Sequence, residues 1–136
     1  MPLITTELTT RLGIEHPILL APMGDSAGGR LAAAVSRAGG LGLIGGGYAD
    51  PGWLEPQLEA AGDTRVGVGF ITFALDERPA TLDLALDAGI EIVQLSFGDP
   101  RPFAERIHGA DATLICQVHN EEDVRQAQEA GADVLL

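Results

Sequence analysis

Cysteine occurs once in the 136 residues, at Cys116. No internal disulfide can form, and a lone thiol fits a reducing, cytoplasmic compartment. Basic residues are also few, 8 against 20 acidic ones, for a net charge of −12. That balance argues against nucleic acid or an anionic membrane surface as a partner. Aromatics make up only 4% of the chain, so a core has to come from Leu, Ile, Val and Ala. No apolar run approaches the ~18 residues that a membrane helix needs. The opening "MPLITTELTTRLG" lacks the basic start and apolar stretch of a secretory signal, so none is expected. Zinc-like Cys/His spacing, a G-x-S-x-G elbow and a P-loop are all missing, and no metal site is assigned.

What is abundant is glycine, at 18 residues, within a chain that is 46% hydrophobic. The glycines punctuate a repeat: a helix-like segment, an Ala-Gly or Gly-Ala stop, then a short apolar run. The stops "RAGG", "EAAGDTR", "LDAGIE", "IHGADA" and "QEAGAD" precede "LGLIG", "VGVGFI", "IVQLSF", "TLICQV" and "VLL". With "HPILLAPM" ahead of them there are six apolar runs, each about one helix from the next. Runs that are apolar on both faces and alternate with helices predict βαβ units and a parallel sheet. Strands are expected near Ile18–Ala21, Leu41–Ile44, Val66–Phe70, Ile92–Leu95, Thr113–Val118 and Val134–Leu136. Helix starts are read at Ser26, Asp50-Pro51, Thr81, Asp99-Pro100 and Asn120. No linker or composition break divides the chain, and its length suits one domain.

Gly40 to Gly45 spell G-x-G-x-x-G, the dinucleotide-binding fingerprint. That motif works only where a strand ends and a helix begins. Here "RLAAAVSRA" precedes the glycines and "LGLI" follows them, so the order is inverted. Gly39 and Gly40 then serve a helix stop rather than a pyrophosphate.

The last run, "GADVLL", starts a sixth strand at the end of the sequence. The pattern therefore fits either a small open α/β sheet or the front of an eight-stranded barrel. Polar residues among the strands are few. Gln94 and Ser96 share a face of the fourth run, and Gln117 and His119 share one at the end of the fifth. A glutamine among apolar neighbours has to be hydrogen-bonded. His119 adjoins the Asn120 cap and reads as a surface-loop histidine, with a base as the rival reading. His16 and His108 read as structural or solvated. No basic residue is read at the strand ends.

The segments "HPILLAPMG", "AAAVSRAGGLGLIGGG", "VGVGFITF", "VQLSFGDP" and "EEDVRQAQEAGADVLL" resemble the nitronate monooxygenase (2-nitropropane dioxygenase) family, in order and in register. The resemblance implies a (β/α)8 TIM-barrel fold, with residues 1–136 as the N-terminal part of an FMN-dependent barrel domain, about the first five and a half β/α units. It implies oxidation of nitronates or nitroalkanes with O2 to a carbonyl compound and nitrite. Ala21, Pro22 and Met23 would lie at the flavin, with Gly69 where many members carry an asparagine, and with Gln117 facing the ring. The family's catalytic histidine and its phosphate-binding loops would lie beyond Leu136, so no catalytic residue is assigned among these residues and the FMN site is incomplete. His119 is the weak substitute for that base. Two alternatives stand beside this reading: an FMN-dependent enoyl-acyl-carrier-protein reductase relative, and a non-catalytic half-barrel. A half-barrel would leave open strand edges and an uncovered sheet face, hence an expected self-association.

Overall fold

Between each pair of strands the chain runs through at least one helix, and most helices are closed by a residue in the left-handed region. The computed structural model describes residues 4–136. The helices are α1 (Glu7–Leu12), α2 (Gly29–Arg37), α3 (Pro51–Ala61), α4 (Thr72–Glu77), α5 (Ala80–Asp87), α6 (Arg101–Gly109) and α7 (Glu121–Glu129). The strands are β1 (Leu43–Gly47), β2 (Gly67–Ile71), β3 (Ile92–Ser96), β4 (Thr113–Cys116) and β5 (Val134–Leu135). Gly39, Gly62, Gly89 and Gly131 follow α2, α3, α5 and α7 with positive φ; after α6 Asp111 takes that role. All neighbouring strands pair in parallel, in the sequential order β1-β2-β3-β4-β5. Sequential order without a switch point is the winding of a barrel rather than of a doubly wound sheet.

The run at Ile18–Ala21 is not a full strand. A single parallel bridge joins Leu19 to Leu41, with Leu20 N donating to Leu41 O and Leu41 N to Ile18 O, both at 2.9 Å. The next rung would need an N–H from residue 22, and Pro22 has none. Further along the β1 edge Gly45 N is already engaged, bonding Ala27 O at 2.8 Å.

Two of the expected helix starts are shifted. Ser26 does not cap α2; Gly28 does, and the first free N–H, from Gly29, is taken by Gln57 Oε1 at 3.1 Å. Thr81 lies inside α5, where its hydroxyl donates to Ala49 O at 2.8 Å. Asp50 and Asn120 cap α3 and α7 as expected, accepting from Gly52 N and Asp123 N. Arg101 N bonds Asp99 Oδ1 at 3.0 Å ahead of α6. The short helices α1 and α4 are additions to the sequence reading.

The sheet has two packed faces. Ile44, Val68, Phe70, Val93, Leu95, Leu114 and Cys116 point to the helical layer, where Leu54, Leu75, Leu82 and Ile107 are buried against them. Cys116 is among them; burial, with a smaller push from the Asp133 charge, drives its thiol up to about 12, so it is inert at neutral pH. The other face is not bare, contrary to the expectation. Leu41, Leu43, Ile92 and Ile115 form a second core with Leu12 of α1, and Leu8, Ile14, Leu19 and Val134 pack around it. Arg65 holds this plug by donating to Leu12 O at 2.7 Å.

Gly42 shows how tightly α2 lies on the sheet: a Cβ there would stand 1.8 Å from Ala32 O. Gly42→Ala is expected to cost about 1–3 kcal/mol or more, because the obstacle is helix backbone. Gly109→Ala, where a Cβ meets nothing within 4 Å at the end of α6, should be neutral or slightly stabilising. Urea denaturation of the two variants beside the parent checks both signs.

Candidate functional site

Along the inner face, side chains shrink toward the C-terminal ends of the strands. Leu43 and Ile92 belong to the packed lower layer. One step up, Gly45, Gly69 and Gln94 are register partners across β1, β2 and β3. The segment from Ala21 to Gly24 lies across the two glycines. A Cβ at Gly45 would be 2.2 Å from Met23 O, and one at Gly69 would be 2.3 Å from Pro22 Cγ. Above this floor opens a cavity of about 590 Å³, a size usual for small-molecule and cofactor sites.

Ala21, Pro22, Met23, Gly69 and Gln117 all line this one cavity, although they come from the segment ahead of α2, from β2 and from the end of β4. His119 does not line it; it stands behind Gln117, exposed on the surface. His108 faces Asp133 at 3.4 Å and His16 lies beside Gly39, both away from the cavity. At Gly69 the space of a side chain is filled by the Pro22 ring, so only backbone is offered there.

The chain's scarce aromatics gather at this end. Of four Phe, one Trp and one Tyr, Tyr48, Trp53, Phe70 and Phe97 line the cavity. Phe73 meets Tyr48 edge-on at 6.3 Å. Trp53 is fixed by its Nε1–H, which donates to Gly45 O at 2.8 Å. Backbone strain gathers here too. Asp25 (φ 58°) and Phe97 (φ 61°) line the cavity, and Ala49 (φ 57°) stands between Tyr48 and Asp50, which also do. Left-handed backbone at a bulky residue is costly and persists where surrounding structure enforces it.

The polar residues read from the strands form one hydrogen-bonded chain. Gln94 Nε2 donates to Ser96 Oγ at 3.2 Å, and Ser96 Oγ–H donates to Gln117 Oε1 at 2.9 Å. Gln117 Nε2 faces His119 Nε2 at 3.2 Å, and His119 Nδ1 faces Asp123 Oδ2 at 3.1 Å. These contacts are mutually consistent when Nδ1 carries the imidazole proton, which leaves Nε2 to accept from the Gln117 amide. Phe97 stacks on the His119 ring at 4.9 Å. Ser96 and Gln117 thus present fixed polar atoms to the cavity, held from behind by a surface pair. Arg78, at the end of α4, also lines the cavity. It corrects the expectation that no basic residue reaches the strand ends.

Comparison with known proteins agrees with this fold. The pattern of the family described as nitronate monooxygenase matches residues 5–65. Over 52 residues the chain is 46% identical to a probable nitronate monooxygenase of Staphylococcus aureus, covering 38% of this chain and 15% of that protein. Over 136 residues it is 27% identical to a 5-hydroxy-7a-methyl-1-oxo-octahydro-1H-indene-4-carboxyl-CoA dehydrogenase of Mycobacterium tuberculosis, covering 98% of this chain and 38% of that one. The solved structure of FabK from Thermotoga maritima, as its M276A mutant, superposes with a TM-score of 0.85 at 30% identity, over 97% of this chain and 45% of that one. A nitroalkane oxidase from Streptomyces ansochromogenes shares the fold, with a TM-score of 0.77. The chain therefore spans less than half the length of these relatives.

Fold and relatives define the class: a partial (β/α)8 barrel, whose relatives include proteins named as a dehydrogenase and a nitroalkane oxidase. Within that class, the first part of the chain carries the nitronate monooxygenase family pattern.

The Asp123 carboxyl is held below its ordinary 3.8 chiefly by the His119 backbone N–H, against an opposing effect of burial, with a lesser pull from the His119 ring. A depressed folded value stabilises above the unfolded value and is lost as pH falls through the folded one. Asp123→Asn should therefore lower thermal stability near neutral pH while leaving it less sensitive to acid. The two proteins should converge as pH drops below 3.8. Melting curves taken in steps from pH 7 to pH 3 test this; a constant gap across the range would contradict it.

Proposed function

We propose that this chain supplies the ring-facing wall of an FMN site in an oxidoreductase that oxidises nitronates or nitroalkanes with O2. The observation behind the proposal is the meeting of Ala21, Pro22, Met23, Gly69 and Gln117 in one aromatic-rimmed cavity at the strand ends. The residues present suit a planar conjugated ring. Pro22 on Gly69 makes a flat apolar floor, Met23 is a polarisable contact, and Ser96 with Gln117 offers oriented hydrogen-bonding atoms at one edge. When bound, the flavin would supply the redox chemistry that the side chains lack. The chain's own share is binding, orientation and exclusion of water. His119 is screened from the cavity by Gln117, so no proton step is assigned to it. A cytoplasmic setting fits the single, buried thiol, and among the described residues no helix is long and apolar enough to cross a membrane.

A second reading is an acyl-thioester oxidoreductase. It is favoured by the relatives that match along nearly the whole chain, which are named as CoA dehydrogenases. In a protein extended through the remaining strands and reconstituted with FMN, oxygen uptake with propane-2-nitronate supports the first reading. NADH consumption with an enoyl thioester supports the second.

Trp53 is the only tryptophan and reports on the cavity directly. Riboflavin, which carries the ring without the phosphate, should quench its fluorescence saturably. Met23→Ala removes a side chain that is 46% exposed; it should leave the fold intact and weaken this binding by up to about tenfold. Absence of saturable quenching in the parent chain would defeat the flavin reading.

A further inference from the structure

Most arginines in this chain are engaged. Arg11, Arg65, Arg101, Arg106 and Arg125 pair with carboxylates, and Arg37 donates to Thr64. Arg30 and Arg78 make no ion pair or side-chain hydrogen bond among the described residues, and of the two only Arg78 lines the cavity. Its backbone, by contrast, is held firmly. Arg78 N bonds Ala74 O and Thr81 N bonds Arg78 O, each at 3.1 Å. The next carbonyl, Pro79 O, accepts from Arg106 Nη1 at 3.2 Å, and Thr81 Oγ1 ties the turn to Ala49 O at 2.8 Å. An anchored backbone thus carries an uncommitted arginine to the cavity wall. Two carboxylates share that wall, and neither pairs with Arg78; Asp50 is occupied by the Gly52 N–H at 3.0 Å.

We propose that Arg78 is the ligand for the anionic group of the substrate. The group would be a planar oxyanion with two oxygens on one atom, which the guanidinium fork meets with two parallel N–H donors. A nitronate has this shape, as does a carboxylate. Naming a nitronate rests on the function proposed above; the oxyanion site itself does not. In a chain of net charge −12, an anion needs a specific cation to enter the cavity, so one unpaired arginine decides which ligands are retained.

The test uses the 136-residue chain and Trp53 fluorescence, with four probes: propane-2-nitronate, its carboxylate counterpart isobutyrate, neutral 2-nitropropane, and inorganic phosphate. Both planar anions should bind about tenfold more tightly than 2-nitropropane, and added salt should weaken them. Arg78→Gln should remove that advantage, leaving the melting temperature and riboflavin quenching as in the parent. Arg30→Gln, on α2 and away from the cavity, should bind both anions normally. The proposal is overturned if Arg78→Gln binds the anions as the parent does, or if the neutral compound binds equally well. It is also overturned if phosphate outcompetes both planar anions in an Arg78-dependent way, because the site would then be a phosphate site. Arg78-dependent isobutyrate binding without riboflavin quenching would uphold the oxyanion site while removing the flavin reading.

Discussion

The contact on which the cavity depends is the seating of Pro22 and Met23 on two glycines of neighbouring strands. No other residue at Gly45 or Gly69 would let the segment lie where it does, since a single carbon at either position would overlap it at 2.2–2.3 Å. Three consequences follow from that approach. The segment covers the upper inner face, so the strand ends form a floor rather than a slot. Its proline ends the first strand after one bridge, which frees the chain to turn over the sheet. Trp53 then binds the Gly45 carbonyl, so the same strand position fixes both floor and rim.

Stability and function divide along the strand axis. Toward the N-terminal ends, Leu12 of α1 plugs a layer of Leu and Ile that is almost wholly buried, and burial of this kind is the main stabilising contribution to a domain. Toward the C-terminal ends the side chains become glycine, glutamine and serine. Large apolar groups are exposed there, and three of the four left-handed non-glycine residues among the described residues lie in or beside the cavity lining. Such features cost stability and would be expected where a ligand, not the protein, completes the packing. The lower layer offsets that cost.

Much of this architecture was legible because local and global signals agree. Helix stops, apolar runs and the Asp50 and Asn120 caps depend on residues near in sequence, and the parallel sheet follows from their alternation. The inversion of the Gly40–Gly45 motif was equally legible, because it rests on which element comes first. What could not be read depends on distant partners. Ser26 was a reasonable cap until Gln57, 28 residues from Gly29, supplied the acceptor instead. The α1 plug was missed because six residues carry too little periodicity to announce a buried face. Pro22 is a case where the signal was present: a proline two residues past Leu20 removes the N–H that the ladder needed next. Arg78 lay out of sight because α4 begins directly at the end of β2, and only that short helix with its turn brings residue 78 back over the strand ends.

The hydrogen-bonded chain from Gln94 to Asp123 resolves an ambiguity that residue identity alone leaves open. An amide presents either an acceptor or a pair of donors to a ligand, and composition does not say which. In this structure the choice propagates inward from the surface. Asp123, held as a carboxylate by the His119 backbone N–H, also accepts from Nδ1, and in the neutral imidazole Nε2 then accepts. That fixes Gln117 with its nitrogen toward the histidine and its oxygen toward Ser96, and the Ser96 hydroxyl in turn receives Gln94. Each side chain of the series then bonds the next, which suits polar groups kept among apolar neighbours. The amide of Gln117 therefore faces the cavity in one orientation, selected by a pair of exposed residues that do not line the cavity.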